Sequence, residues 1–563
     1  MTVASWPQAG VLAVACASWA CGGQPGPPAD LVLLDAAVYT MDSTRPRAEA
    51  VAVRDGRIVF VGAGDSARAW VGAETRVLDL SGRMVLPGFH DTHVHPVTGG
   101  IELGECDLNG AGTRAEVVRL VAACARRDPE ASWLRGGGWQ APLFPGGNAP
   151  RALLDSLVPD HPAYLTSADA HSAWVNTRAF AIAGVTRDTP DPPNGRIERE
   201  PGGAPGGTLR ESAMELVARH LPDYTDAEYL AGLRRGLALA ARFGITTLHE
   251  ARADEPILRA YHRAESLGVL TARVMVAIHA DAQRPPSAEA RRLATLRARY
   301  AGPLVHPLAA KIVLDGVIEG QTAALLDPYL DRPGYRGELN VAPDTLARLV
   351  HALDSAGFVA HVHAIGDRAI RVALDALEPV ATRADGGGPR PVLAHVQLWD
   401  PADLPRPARL GVALSFQPLW AYADSYIRDL TEPRLGNERS RWLYPIASVL
   451  ATGAVVAGGS DWSVTSMNPL DAVQVAVTRR ALADSTGPPW IPEERVDLAA
   501  ILRAYTVGGA VAGGLAGTTG TIAVGKAADL VVLERDLFGV PPHAIHRVPV
   551  VLTLLEGREV YRR

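Results

Sequence analysis

Two histidines in one short segment are the residues of this sequence best suited to chemistry. His93 and His95 lie within residues 88–95, directly after the apolar run Met84 to Pro87. Side chains of an extended strand alternate between its two faces, so residues two apart point the same way. The two imidazoles can therefore grip one metal ion. A His-x-His pair alone is weak support, and the prediction of a metal site depends on further ligands along the chain.

Four further candidate ligands follow in order, each in or at the end of an apolar, strand-like segment. Imidazole and carboxylate groups suit zinc and similar ions. Ligands taken from the ends of several different strands are typical of a barrel active site. His361 precedes one candidate by two residues and is an alternative ligand on the same strand face. The candidates are Lys311, His363, His395 and Asp461.

Lys311 stands out because the chain, with 55 Lys and Arg residues, has lysine only at positions 311 and 526. It lies in an apolar segment, where a charge is costly. A desolvated amine can lose its proton and react with carbon dioxide, whereas a guanidinium cannot. The resulting carbamate can bridge two metal ions. The competing interpretation is an ordinary lysine paired with Asp315, which is expected on the same strand face.

Together these motifs resemble the amidohydrolase superfamily, in its YtcJ-like branch, which includes N-substituted formamide deformylases. The resemblance runs from about Ala29 to the C-terminus. The sequence departs from the family pattern at Ala170, where glycine is usual, and at His90, where an apolar residue is usual. Besides residues 88–96, the resemblance rests on residues 169–176, 316–326, 363–369, 459–461 and 520–533.

The resemblance implies a metal centre at the six candidate positions. It implies one or two divalent ions, zinc in the first place, with manganese or iron as alternatives. Lys311 would be N6-carboxylated and bridge two ions, and a one-metal version uses the same residues. One ion would be held by His93, His95 and Asp461, the other by His363 and His395.

The implied reaction is hydrolysis of a carbon–nitrogen bond, in an amide or N-substituted formamide of a small molecule, through a metal-activated hydroxide. Asp461 is the expected general base and would pass its proton to the leaving amine. One alternative is a mononuclear deaminase of the same superfamily, which needs no lysine and usually has a glutamate shortly after the residue equivalent to His363. The other is a non-catalytic envelope binding protein, in which ligands should have been lost.

Two residues outside the strand ends are predicted to bind substrate. His171, in the segment from Asp169 to Asn176, is placed to donate a hydrogen bond to substrate from an insertion. Trp139 follows three glycines and is predicted to form a pocket wall. Buried tryptophans, however, more often belong to a hydrophobic core.

Composition favours a globular protein and gives no sign of a polyanionic partner. The 563 residues are 47% hydrophobic and 21% charged, which is ample for a large core. The net charge of -6 gives no reason to expect nucleic acid as a partner. The expected partner is the small-molecule amide substrate, and the sequence leaves the oligomeric state open.

Residues 1–29 are interpreted as a lipoprotein signal and tether. Val11 to Ala20 is apolar but too short to span a membrane, and Gly and Pro residues follow Cys21. Cys21 would carry the lipid anchor and place the protein in the cell envelope. Signal peptides usually have a positive first region, and no Lys or Arg precedes Cys21. The alternative is therefore a mis-assigned start and a cytoplasmic protein.

The remaining chain must supply the elements that position the ligands. Residues 30–85 and 518–563 both alternate short β runs with turns, and are expected to pair into one small β-sandwich. Residues 86–517 are predicted to form an α/β (β/α)8 TIM-like barrel of the metal-dependent hydrolase type. An insertion at about 97–240 follows the first strand, because that stretch is too long for one connection. The eight expected strands lie around residues 85–93, 244–249, 273–279, 308–315, 357–363, 391–396, 411–416 and 454–461.

Overall fold

The computed structural model of the chain describes residues 27–127, 129–381, 387–484 and 486–563. Cys21, the expected lipid anchor, lies outside these ranges. Within them, no helix combines the length and the apolar character needed to cross a membrane.

Eight parallel strands form the central sheet, and this confirms the predicted barrel. Neighbours in sequence are neighbours in the sheet, from the first strand to the eighth. The first and last strands approach each other where the Asp461 N–H donates to the His93 carbonyl at 2.7 Å. The barrel strands are Phe89–Val94, Ile245–Ala253, Arg273–His279, Val305–Val313, Val359–Ala364, Val392–His395, Ala413–Phe416 and Val455–Gly458.

Helices connect and cover these strands, as expected for βα units. Their buried faces are Ala- and Leu-rich, so each packs its apolar stripe on the sheet. A capping box at Thr225 and Glu228 fixes the start of the helix before the second strand. In the barrel region the longer helices are Asp226–Arg242, Glu255–Ser266, Pro286–Tyr300, Pro343–Ser355, Asp367–Leu377 and Pro469–Thr478; the shorter ones are Pro96–Glu102, Arg406–Leu410, Glu432–Leu435, Asn437–Ser440, Ile446–Ala451, Leu498–Arg503 and Gly509–Ala512.

Both chain ends build a two-sheet β-domain beside the barrel. One sheet consists of Leu31–Leu34, Ala50–Arg54, Arg57–Gly62 and Arg76–Asp79, with the short helix Gly64–Ala67 packed nearby. The other combines N- and C-terminal strands, since Met84–Pro87 pairs with Leu530–Leu533. The strands of this second sheet are Ala37–Tyr39, Arg47–Ala48, Met84–Pro87, Leu530–Leu533, Val550–Leu555 and Arg558–Arg562.

The segment predicted as a single strand at 85–93 is two strands that belong to different sheets. Met84–Pro87 lies in the β-domain and Phe89–Val94 in the barrel. Gly88 lies between the two strands. Its N–H donates to the backbone carbonyl of Asp529, and a Cβ at this position would come within 2.2 Å of the Thr246 side chain. Both halves are buried and only Gly88 separates them, so the sequence contained no sign that they belong to different sheets.

The insertion after the first barrel strand is a separate layer with its own mixed sheet. A disulfide joins Cys106 to Cys124 across a Cα–Cα distance of 5.5 Å, a pairing that the sequence left open. The strands are Cys106–Asp107, Leu134–Trp139, Ala163–Ser167, Ser172–Val175, Gly195–Arg199 and Pro205–Glu211, and the helices are Arg114–Arg127, Arg151–Leu157, Thr177–Ala183 and Glu215–Ala218.

His90, one of the two residues that depart from the family pattern, is buried in the first barrel strand. Neither ring nitrogen has a hydrogen-bond partner among the described residues. Its Cβ would be 2.3 Å from a Cβ added at Gly509, so the side chain packs directly on a helix. Burial lowers the pKa of His90 well below its ordinary value. The side chain is therefore a neutral, unsatisfied polar group in an apolar setting, which destabilises the fold.

Replacing His90 with leucine is expected to stabilise the protein by about 1–2 kcal/mol at neutral pH. Because the unfolded histidine titrates near pH 6.5 and the folded one below it, the unfolded state binds more protons, and wild-type stability falls as pH drops below about 6.5. His90→Leu should reduce this slope. Urea denaturation between about pH 5 and 7.5 measures it, with the exposed His543→Gln as control; an unaltered slope in His90→Leu would contradict the buried neutral state.

Candidate metal centre

Three of the predicted ligands converge where the barrel strands end. Asp461 Oδ1 lies 3.5 Å from His93 Nε2 and 3.3 Å from His95 Nε2. One donor atom from each of the three residues lies within 4.8 Å of the others. Two imidazoles and a carboxylate are a zinc-type donor set. As expected from their spacing, His93 and His95 point the same way, since both Nε2 atoms lie near Asp461 Oδ1.

Asp461 is aimed at this cluster by its backbone. It lies just beyond the last barrel strand with φ 52°, a left-handed conformation that aspartate tolerates better than most residues. Its N–H is bound to the His93 carbonyl, so the loop that carries the carboxylate is fastened to the strand that carries the histidines. The carboxylate also lines the neighbouring cavity.

Lys311 is buried beside the cluster, with its Nζ 3.4 Å from His93 Nε2. Burial lowers the pKa of Lys311 to about 7, which favours the neutral amine that carbamate formation requires. Asp315, its suggested partner, lies beyond the strand, which ends at Val313. The Asp315 carboxylate instead accepts the N–H groups of Ala324, Ile365 and Gly366, so it is bound to backbone donors rather than to the lysine.

His363 and His395 lie next to each other, with ring centroids 4.5 Å apart. His395 Nδ1 is 3.8 Å from Asp461 Oδ2, which connects the pair to the first three ligands. His363 Nε2 lies 3.3 Å from the Gly316 carbonyl and 3.7 Å from Asp315. The six predicted ligands therefore come together in one region. Within the described residues, the tightest three-residue cluster is that of His93, His95 and Asp461.

Burial keeps most of these rings neutral and able to donate a lone pair. It lowers the pKa of His93, His363 and His395 well below the ordinary histidine value. His95 differs: burial opposes its proton, but Asp461 and Glu250 outweigh that and raise the pKa of His95 to about 9. Carboxylates that favour a proton on this ring would equally favour a metal cation beside it. The residues present thus fit a divalent cation.

Several residues that orient the ligands were not identified from the sequence. Glu250 lies 3.4 Å from His95 Nδ1 and is held by the Tyr261 hydroxyl at 3.0 Å. Gln417 Oε1 lies 2.9 Å from His395 Nδ1. Such partners fix the orientation of a metal-ligating ring. The only signal for Glu250 in the sequence was an acidic residue directly after His249 in a strand-like segment.

His361, the alternative to His363, takes an orienting position as well. Its Nε2 lies 2.8 Å from His93 Nδ1. Because His93 presents its other nitrogen, Nε2, to Asp461 and Lys311, His361 fixes the His93 ring from behind. The arrangement favours His363 as the ligand on this strand.

A cavity of about 330 Å³ opens beside the cluster. Of the two residues predicted to bind substrate, only one lines it. His171 lines it, with its ring 5.4 Å from that of His363 and its Nδ1 2.9 Å from Glu211. Trp139 does not line it: the side chain is buried in the core of the insertion, donates to the Leu165 carbonyl, and packs on Trp174. The cavity is instead lined by the next residue, Gln140.

Comparison with known proteins settles the family. A model of the amidohydrolase family matches residues 76–561. The chain belongs to the amidohydrolase family. The resemblance inferred from the motifs is thereby confirmed, and membership supports a metal-dependent hydrolase with His93, His95 and Asp461 as the candidate metal-binding trio.

Three relatives of this amidohydrolase match over nearly its whole length. Protein LONG AFTER FAR-RED 3 of Arabidopsis thaliana is 31% identical over 548 residues, covering 95% of this chain and 92% of that protein. Putative amidohydrolase YtcJ of Bacillus subtilis is 30% identical, covering 93% and 98%. N-substituted formamide deformylase of Arthrobacter pascens is 28% identical, covering 95% and 98%.

A solved structure supports the fold independently. The crystal structure of an uncharacterized metal-dependent hydrolase from Pyrococcus horikoshii superposes with a TM-score of 0.72 at 24% sequence identity. The match covers 91% of this chain and 99% of the other. The barrel, the composite β-domain and the insertion thus belong to an architecture already known from crystallography.

Proposed function

We propose that this amidohydrolase hydrolyses the carbon–nitrogen bond of a small amide or N-substituted formamide. The observation that carries the proposal is the convergence of His93, His95, Asp461 and the buried Lys311 beside one cavity. A relative that matches over 95% of this chain has the name N-substituted formamide deformylase, which supports this bond type.

The ligand set would hold one or two divalent cations, of which zinc suits the donors best. His93, His95 and Asp461 would hold one, and His363 and His395 a second, with carboxylated Lys311 between them. Such a cation supplies Lewis acidity, which polarises a carbonyl and lowers the pKa of water.

Asp461 is the residue placed to move the proton. Its carboxylate faces both the histidine cluster and the cavity. In the proposed reaction it takes a proton from the attacking water and delivers it to the nitrogen of the leaving amine. The carbon–oxygen bond forms as the carbon–nitrogen bond breaks, and the products are a carboxylic acid, or formate, and an amine.

His171 is the proposed donor to the substrate carbonyl oxygen. Burial opposes a proton on this ring, but Glu211 outweighs it and raises the pKa of His171 to about 9. Glu211 itself accepts the Thr322 hydroxyl at 2.6 Å, so the His171–Glu211 pair is held in place at the cavity wall. A protonated imidazole there can stabilise the negative charge that develops on oxygen.

Replacing His171 with asparagine is expected to lower kcat/KM by on the order of 10²-fold, which is the typical cost of losing one such hydrogen-bond donor. Bound metal should stay at the wild-type level, because the Nδ1 of His171 is occupied by Glu211 and the residue is not among the proposed ligands. His220→Asn, at an exposed histidine of the same insertion, is the matched control. Full activity in His171→Asn, or loss of metal, would contradict a substrate-binding role.

The function itself is tested with metal-loaded protein on a panel of N-formyl and N-acyl amines. Formate or the free acid and the amine are measured separately, before and after removal of metal with a chelator. Metal-dependent release of both products supports the proposal. Release of ammonia from an amino-substituted ring instead would point to the deaminase alternative, and no turnover by a metal-loaded, folded protein would point to a binding protein.

A further inference from the structure

The cavity beside the ligand cluster has an aromatic wall that reaches the proposed metal ligands. Trp420 stacks on His395 with ring centroids 5.6 Å apart and planes within 2°. Tyr444 meets Trp420 edge-on at 6.5 Å. Tyr422 and Tyr426 line the same space. Aromatic faces of this kind attract both apolar groups and cations.

Acidic side chains line the same cavity, together with the protonated ring of His171. Asp169, Glu319 and Asp424 line the cavity in addition to Asp461. Among the described residues that line it, none is lysine or arginine. Arg434 donates to the Glu319 backbone carbonyl, but it lines a different pocket. Four carboxylates against one protonated histidine, His171, make the lining of the cavity net negative before any substrate enters it.

Asp424 is one of the acidic residues whose charge is destabilised by burial in this cavity. One carboxylate oxygen accepts the Ile427 N–H at 2.9 Å, which holds the side chain at the start of a helical segment. Burial raises the pKa of Asp424 to about 6, and the neighbouring Glu319 carboxylate also raises it. The two acids repel each other, and a cation bound in the cavity beside them would relieve that repulsion.

We propose that this cavity selects substrates that carry a cationic group, an alkylammonium or guanidinium, away from the scissile bond. Asp424 and Glu319 are the specificity-determining residues, and Trp420 and Tyr444 support the cation through their ring faces. The inference rests on the proposed function, because it names the substrate class of the same site. It extends that function from amides in general to amides of diamines and related compounds.

A matched substrate pair tests the proposal. One member is a mono-N-formyl α,ω-diamine, and the other is the N-alkylformamide in which a methyl group replaces the ammonium. Wild type is expected to prefer the cationic member by on the order of tenfold in kcat/KM, and Asp424→Asn should remove most of that preference. Asparagine retains the oxygen that accepts the Ile427 N–H, so the hydrogen bond at the start of the helical segment is preserved.

Asp429→Asn is the control, because it removes the same charge from an exposed position on the same segment, Tyr426 to Thr431. Its preference should equal that of wild type. Equal kcat/KM for the two substrates in wild type, or an undiminished preference in Asp424→Asn, would overturn the proposal. A preference lost equally in Asp429→Asn would also overturn it, since overall charge rather than the cavity would then be the cause.

A binding measurement separates failure of this inference from failure of the proposed function. If neither formamide is hydrolysed, the proposed function fails, and calorimetry then compares an alkylammonium with the alcohol of equal length. Tighter binding of the ammonium to wild type, weakened in Asp424→Asn, still supports a cation-selective cavity. Equal affinity for the ammonium and the alcohol overturns it.

Discussion

Replacing Asp461 with asparagine is expected to lower kcat/KM by on the order of 10³–10⁴-fold. Asparagine is nearly the same size and keeps one oxygen, so the backbone hydrogen bond from residue 461 to His93 can persist. What disappears is the negative charge that lies 3.3–3.5 Å from both histidine Nε2 atoms and the proton acceptor that faces the cavity.

Metal titration of Asp461→Asn distinguishes these two losses. If the carboxylate serves only as a ligand, excess metal should restore occupancy and activity together. If it also moves the proton, as proposed, the metal-saturated variant should remain nearly inactive. Asp160→Asn, at an exposed position of the insertion, controls for the substitution itself. Activity within about tenfold of wild type at full occupancy would remove Asp461 from the proton-transfer step.

The barrel, and the convergence of the candidate ligands, were predictable because each candidate is carried by a local motif in or at the end of a strand-like segment. Strand ends meet at one edge of a parallel barrel, so order along the chain becomes proximity in space. His93, His363, His395 and Asp461 needed no knowledge of long-range contacts to be brought together, only the recognition of eight strands.

Contacts between side chains of different elements were not predictable in this way. Trp139 and Gln140 differ by one residue, yet one lies in the insertion core and the other on the cavity wall. The three glycines before Trp139 do not show which neighbour faces the cavity. Asp315 was expected to lie on the Lys311 face because the strand was extended too far; the chain leaves the strand after Val313.

Residues that orient the histidines of the site were missed for a related reason. Glu250, Gln417 and Glu211 each lie on a different element from the histidine they hold. Their hydrogen bonds depend on how neighbouring strands and the insertion are set against each other, which one sequence does not encode in any short motif. The Cys106–Cys124 disulfide is a similar case, since spacing alone does not bring two cysteines together.

After loss of the Asp461 carboxylate, loss of Lys311 is expected to have the second-largest effect on activity. Lys311→Ala should reduce bound metal and lower kcat/KM by at least ~10³-fold, because it removes the proposed bridge between ions while leaving a cavity in a buried strand. Elemental analysis and the formamide assay measure the two quantities on the same preparation. An active Lys311→Ala protein that retains one metal would contradict the bridge and favour a mononuclear mechanism.

The modification itself can be observed because this chain has only two lysines. Protein reconstituted with metal in carbon-13-labelled bicarbonate should give one carbamate resonance by NMR. Lys526→Ala is the matched control: its amine donates to the Ala516 and Thr519 carbonyls at the surface, away from the proposed ligands. The resonance should persist in Lys526→Ala and vanish in Lys311→Ala. Since desolvation of Lys311 makes a neutral amine available beside His93, absence of the signal from active wild-type enzyme would show that the amine acts without carboxylation.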